Sequence, residues 1–148
     1  MWIIVVGFII FVGILCVAQW REQDKKDAEK ATAEARKQAR REQIASSPNV
    51  AIIAQAIVSR WGFPQKIEID CYGVTTNNQG KYDTISYASL GITNIYADDC
   101  CTLAAALCSH PLLEDKYTRN WQSETSDRDE ENWLELKRPV SSKSLQEW

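Results

Sequence analysis

Residues 66–88 read KIEIDCYGVTTNNQGKYDTISYA, and this stretch decides the fold class. From Lys66 to Tyr72 the residues alternate. Ile67, Ile69 and Cys71 fall on one side, and Glu68, Asp70 and Tyr72 on the other, the period-two pattern of a half-buried strand. Thr75-Thr76-Asn77-Asn78-Gln79-Gly80 is polar and ends on a glycine able to take positive φ, so it predicts a turn. Tyr82 to Ala88 is β-branched and aromatic, with Ile85 and Tyr87 opposed to Thr84 and Ser86. Together the two runs predict an antiparallel hairpin, with a third strand over Ser89–Ile95 as an extension.

Helices are expected on both sides of the hairpin. Ser46-Ser47-Pro48 supplies a cap followed by proline at the first helical position. Val50, Ile53, Ala54, Ile57 and Trp61 then share a face, and Gly62 and Pro64 end the helix. On the far side, Asp98-Asp99 cap a nearly apolar helix through about Ser109, and His110-Pro111 stop it. Leu113, Tyr117 and Trp121 at i, i+4, i+8 predict one more helical turn as a lid. The expectation is a small α+β helix–β-hairpin–helix domain over residues 46–121. Residues 122–148 turn acidic and polar and predict a largely disordered tail. Trp133, Leu134 and Leu136 interrupt it as isolated apolar groups. They either wander in solvent or dock as a short anchor, on a partner or on the chain's own domain.

The N-terminal stretch has another character. Trp2 to Trp20 contains no charged residue and a single Gln. As a helix it would be about 28 Å long, matching a hydrocarbon core of about 30 Å. Trp2 and Trp20 would lie at the two interfaces, with Arg21 just beyond. Cys16-Val17-Ala18 offers small residues for signal-peptide cleavage, but there is no basic n-region and the apolar run is long, so an uncleaved anchor over residues 1–20 is preferred. Eight Lys/Arg lie within residues 21–41 and none on the N-terminal side. That asymmetry predicts a single-pass protein with its N-terminus outside and its C-terminal domain cytoplasmic.

Residues 21–45 read REQDKKDAEKATAEARKQARREQIA, rich in strong helix formers and free of Gly and Pro. They predict a charged helical stem continuing the span. Ala28, Ala31, Ala35 and Ala39 share a face, which suits either a solvated helix or a coiled coil with a second copy. An anchor followed by a charged helix resembles in layout the i-spanins of phage lysis and the b subunit of ATP synthase. The resemblance covers residues 1–45 and no diagnostic motif, and an i-spanin would need the opposite orientation.

Little in the chain suggests catalysis. The formal net charge of −3 gives no support to nucleic-acid binding. Cys100, Cys101, Cys108 and His110 cluster, but neighbouring helical cysteines diverge by about 100° and do not share one ion easily. Five cysteines, an odd number, do not suggest a disulfide framework. His110 is the only histidine, no nucleophile motif accompanies it, and phosphate-loop and paired-His signatures are missing from the sequence. No cofactor or metal is expected. Glu68, Asp70, Tyr72, Tyr82 and Tyr87 instead offer tyrosines beside carboxylates, a composition suited to a protein partner, with Trp133, Leu134 and Leu136 as a second contact. The expected function is noncatalytic: docking or assembly with a partner protein at the membrane. An immunity or regulatory protein neutralising its partner through the tyrosine-and-acid face is the alternative, and a membrane-anchored enzyme comes third.

Overall fold

The computed structural model describes residues 2–123 and 130–137, and within the first helix it leaves the side chains of residues 2–6, 8–10 and 12 undescribed. The chain is α+β, a long N-terminal helix followed by a small helix-and-strand domain. It divides into two compact units, Met1–Arg40 and Arg41–Trp148.

Helix α1 runs Trp2–Ala45. Its charged portion is held by local side-chain pairs, such as Lys26 Nζ to Glu22 Oε1 at 3.6 Å, each worth a few tenths of a kcal/mol. Ala28, Ala31, Ala35 and Ala39 are all exposed. Within the expected membrane span, 2–20, the side chains of residues 7, 11 and 13–20 are described. Among the described residues no helix is long and apolar enough to cross a membrane.

The second unit begins earlier than residue 46. Ile44, in the last turn of α1, is buried in its core. Helix α2 (Pro48–Trp61) starts and ends where its caps predict. Ser47 Oγ accepts from the Asn49 amide at 3.2 Å, and Gly62, at φ +70°, returns its N–H to the Val58 carbonyl. Val50, Ile53, Ala54 and Ile57 form its buried stripe. Helix α3 (Cys100–Cys108) follows a 3-10 turn over Ala97–Asp99 and buries Cys100, Leu103, Ala104 and Leu107.

The sheet is larger than a hairpin. Strands β1 (Lys66–Ile69), β2 (Gly73–Asn78), β3 (Lys81–Ser86), β4 (Tyr117–Ser123) and β5 (Glu130–Leu136) form one antiparallel sheet in the order β3-β2-β1-β5-β4. Helix α3 packs on β1, β4 and β5 and on α2. Ile67, Ile69, Val74, Ile85, Tyr117 and Leu134 line the buried face of the sheet.

Several expectations are corrected here. Thr75–Asn78 is strand, not turn: Thr76 is buried, and its hydroxyl is satisfied by the Lys66 carbonyl at 2.8 Å. The turn is confined to Gln79 and Gly80, at φ +54° and +83°, the two-residue type that matches strand twist. β1 therefore pairs with β2, through a tight reversal over Asp70–Tyr72, and not with residues 82–88. At that reversal a Cβ on Gly73 would collide with the Ile85 carbonyl oxygen, so only glycine fits. Ser89–Ile95 is not a third strand: it holds a 3-10 turn, Ala88–Leu90, and a connecting segment. Tyr117–Trp121 is strand β4, not a helical lid. The tail is not all loose chain, because Glu130–Leu136 is β5, between β1 and β4, with Leu134 buried. Residues 124–129 and 138–148 lie outside the described residues.

Ile53 sits at the centre of the core, fully buried. Ile53→Asp would leave an unpaired carboxylate there, at several kcal/mol against a total stability of roughly 5–10 kcal/mol. A polypeptide of residues 41–148 carrying the change is expected to lose its cooperative thermal transition. A transition at the parental temperature would refute the placement of α2.

Candidate functional site

Alternation along the five strands puts one set of side chains under the helices and the other set on the opposite face. On that outer face a cross-strand row runs Thr84, Thr75, Glu68, Trp133, Asn120, one residue from each strand. Thr75 and Thr84 share a hydroxyl hydrogen bond of 2.9 Å. Asn120 Nδ2 donates to Glu135 Oε2 at 3.0 Å.

The middle of the row is organised by Lys66. Its ammonium donates to Glu68 Oε1 at 2.8 Å and lies 4.9 Å from the centroid of the Trp133 ring. One cation thus ties a carboxylate to an indole face, a favourable arrangement because the ring's quadrupole is negative over its face. Trp133 is half-buried, so its ring is both held and accessible. Tyr82, 70% exposed, stands two residues before Thr84 on the same face.

The structure therefore gathers Glu68, Tyr82 and Trp133 from three separate strands. It does not gather the rest of the candidate set. Asp70 and Tyr72 lie at the β1–β2 reversal, Tyr72 81% exposed. Tyr87 is only 3% exposed and belongs to the core, as does Leu134, while Leu136 packs half-buried against that core. The Tyr87 hydroxyl is buried without a hydrogen-bond partner among the described residues, and burial pushes its pKa up. Lys66 was missed from sequence. Its place at the edge of an alternating run beside Glu68 was the available signal, but the partner that matters, Trp133, is far along the chain. Trp2 and Arg21 call for the same separation: Arg21 and Trp20 are exposed on α1, and the Trp2 side chain is outside the described set.

A second cluster joins α2 to β3. Asp83 accepts from the Trp61 indole at 2.7 Å and from Arg60 Nε and Nη2 at 2.9 and 2.7 Å. The Trp61 hydrogen bond, then the Arg60 guanidinium, hold the Asp83 carboxyl below its ordinary value. A cleft of about 550 Å³ opens beside it, between Phe63, Pro64, Asn78 and Lys81. The Asp83 oxygens are already committed to these donors, so the cluster reads as a clamp.

The cysteines and the histidine do not assemble a reactive centre. Burial, then the neighbouring Cys71 and Asp70, push the Cys100 thiol up to about 12, so it is a neutral, inert thiol near neutral pH. His110 Nδ1 accepts from the Leu112 amide at 3.3 Å. Among the described residues no group of three His, Cys, Asp or Glu side chains is placed to hold a metal ion.

The clamp has a pH signature. Asp83 ionises below its unfolded value of 3.8, so the folded state binds fewer protons near that pH. Its contribution is complete above about pH 4 and is lost as acid titrates the folded carboxyl. Asp83→Asn is expected to make the fall in melting temperature below about pH 4 shallower. An unchanged acid limb in the variant would show that the clamp does not couple to folding.

Comparison with protein-family models, with curated proteins and with solved structures finds no match to this chain, so a functional reading rests on its own residues.

Proposed function

We propose that this chain is a single-pass, noncatalytic membrane protein that docks a partner protein through the outer face of its sheet. In this reading residues 2–20 cross the bilayer, with Trp2 and Trp20 at its interfaces. The helical stem and the small domain lie on the cytoplasmic side. The uncharged run and the eight-to-none Lys/Arg asymmetry support the anchor and its orientation.

The observation that carries the docking role is the Lys66–Glu68–Trp133 arrangement. Half-exposed tryptophan and tyrosine are the residue types most often dominant at protein interfaces. Here the indole is fixed before binding by a cation that is itself fixed by a carboxylate, so little side-chain freedom is lost when a partner covers it. The flanking threonine and asparagine pairs leave a polar rim.

Trp133→Ala is expected to weaken retention of the copurifying partner by tenfold or more, about 1.4 kcal/mol or above. It removes a half-buried cross-strand contact, so a loss of about 1 kcal/mol in domain stability accompanies it. Tyr82→Ala, at an exposed ring, separates the two effects: it should lower retention with little change in melting. Partner recovery unchanged in both variants would remove the outer face from the docking role.

The orientation is tested separately. A cysteine placed at Ser142 should gain no labelling over the wild type when intact cells meet a membrane-impermeant thiol reagent. Added labelling there would reverse the topology.

A further inference from the structure

The cleft beside Asp83 has no part in the docking role. Lys81 and Asp83 lie two apart on β3, in step with buried Ile85, so they face the helix side of the sheet. Across the ladder Asn78 lies opposite Lys81, and buried Thr76 opposite Asp83. The C-terminus of α2 meets this hairpin tip through Arg60 and Trp61. Phe63, Pro64 and Gln65 complete the lining of a cleft of about 550 Å³. Small-molecule sites run roughly 300–1,000 Å³, with apolar walls and a few polar groups.

The polar groups of this lining are unevenly used. Asp83 is the one carboxylate, and both its oxygens already accept, from Arg60 and Trp61. The donors are not used up. The side chains of Gln65, Asn78 and Lys81 make no hydrogen bond or ion pair among the described residues. Arg60 spends Nε and Nη2 on Asp83 and keeps its Nη1 hydrogens. Two cations thus stand against one ionised carboxylate, with N–H groups in excess. The apolar part of the wall is Trp61, Phe63 and Pro64, and Lys116 Nζ lies 5.6 Å from the centroid of the Phe63 ring.

We infer that this cleft binds a small organic monoanion with a flat ring, an aromatic carboxylate. The carboxylate accepts from the Lys81 ammonium and the Asn78 amide, and the ring lies on the apolar wall. A donor-rich lining with no acceptor oxygen to spare on Asp83 selects an anion over an amine. The unbalanced charge is a single one. The wall also contains the C-terminal end of α2, whose dipole is negative there, so a doubly charged phosphate is disfavoured against a monoanion. The inference is separate from the docking role, on the other side of the sheet, and does not depend on the membrane reading.

The test uses the full chain in mild detergent and three probes of one shape: naphthalene-2-carboxylate, the neutral 2-naphthamide and the doubly charged 2-naphthyl phosphate. The readout is the indole N–H resonance of Trp61, identified by its loss in Trp61→Phe. The carboxylate should shift it saturably, and the amide should bind about tenfold more weakly or worse. Lys81→Ala should weaken the carboxylate by a similar factor with an unchanged melting temperature, because Lys81 is exposed and holds no partner. Tyr82→Ala, on the outer face, should leave the affinity as it is, so this site and the docking face fail separately. A shift that does not saturate at millimolar carboxylate would overturn the inference. So would equal binding of the amide, or full affinity in Lys81→Ala, either of which would mark adsorption to the apolar wall alone. Tighter binding of the naphthyl phosphate would overturn the choice of a monoanion.

Discussion

The domain depends on one non-local pairing, that of β5 with β1. Ile67 lies opposite Leu134 and Ile69 opposite Asn132, across more than sixty residues of chain. Without β5, β4 has no neighbour in the sheet, and α3 loses much of the floor it packs on. Leu134 is the residue that seats the strand, buried under the helices between Ile67 and Arg119. The local elements, α2 and the β1–β3 meander, need no such closure. The loop entropy of bringing β5 back must be offset by this burial, so the sheet is expected to close late in folding.

This constraint explains what was legible in the sequence. α2 was readable to the residue because its signals are local: a serine cap, Pro48, a 3.6-period stripe and Gly62. α3 was readable from its apolar run, although Asp99, expected to cap it, instead accepts from the Tyr96 amide in the preceding 3-10 turn. The start of β1 was readable from its alternation. β2 was lost because its buried members are a valine and a hydrogen-bonded threonine. Thr76 is polar by composition but satisfied by the Lys66 carbonyl, and sequence alone does not distinguish a satisfied threonine from a solvated one. β4 was misread for a geometric reason. Leu113, Tyr117 and Trp121 are spaced by four, and a spacing of four keeps residues on one face of a strand as well as of a helix. β5 was misread because Glu130 and Glu131 extend the acidic run into its first turn of strand, and because its apolar residues are few. A central strand of seven residues with one face open to solvent needs few.

The candidate site was legible in part for the same physical reason. Glu68 was assigned to the outer side from alternation and the sheet keeps it there, and Tyr82, named only as lying on the second run, falls on the same face. Tyr87 was assigned with them, although Ile85 already marked the buried side of β3. Being two residues after Ile85, it shares that side and lies in the core. Trp133 was singled out as a conspicuous ring in polar surroundings, yet its role was invisible until β5 was placed beside β1. Only then do Lys66 and Glu68 become its neighbours.

That neighbourhood is what separates the outer face from an ordinary solvated sheet. A lone exposed tryptophan on a strand would turn among rotamers, and ordering it would cost a partner free energy on binding. Lys66 removes part of that cost in advance, because its ammonium meets Glu68 and the indole face together. The ion pair is solvent-exposed and so adds little to stability by itself. Its consequence is positional: it spends a weak surface interaction on fixing one ring. The clamp at Asp83 works differently. It takes the Arg60 guanidinium and the Trp61 indole at the C-terminus of α2 and ties that helix to β3 from the opposite side of the sheet. The outer face thus carries one ring held beside a cation, Trp133, and a second ring, Tyr82, left exposed on the same side of the sheet.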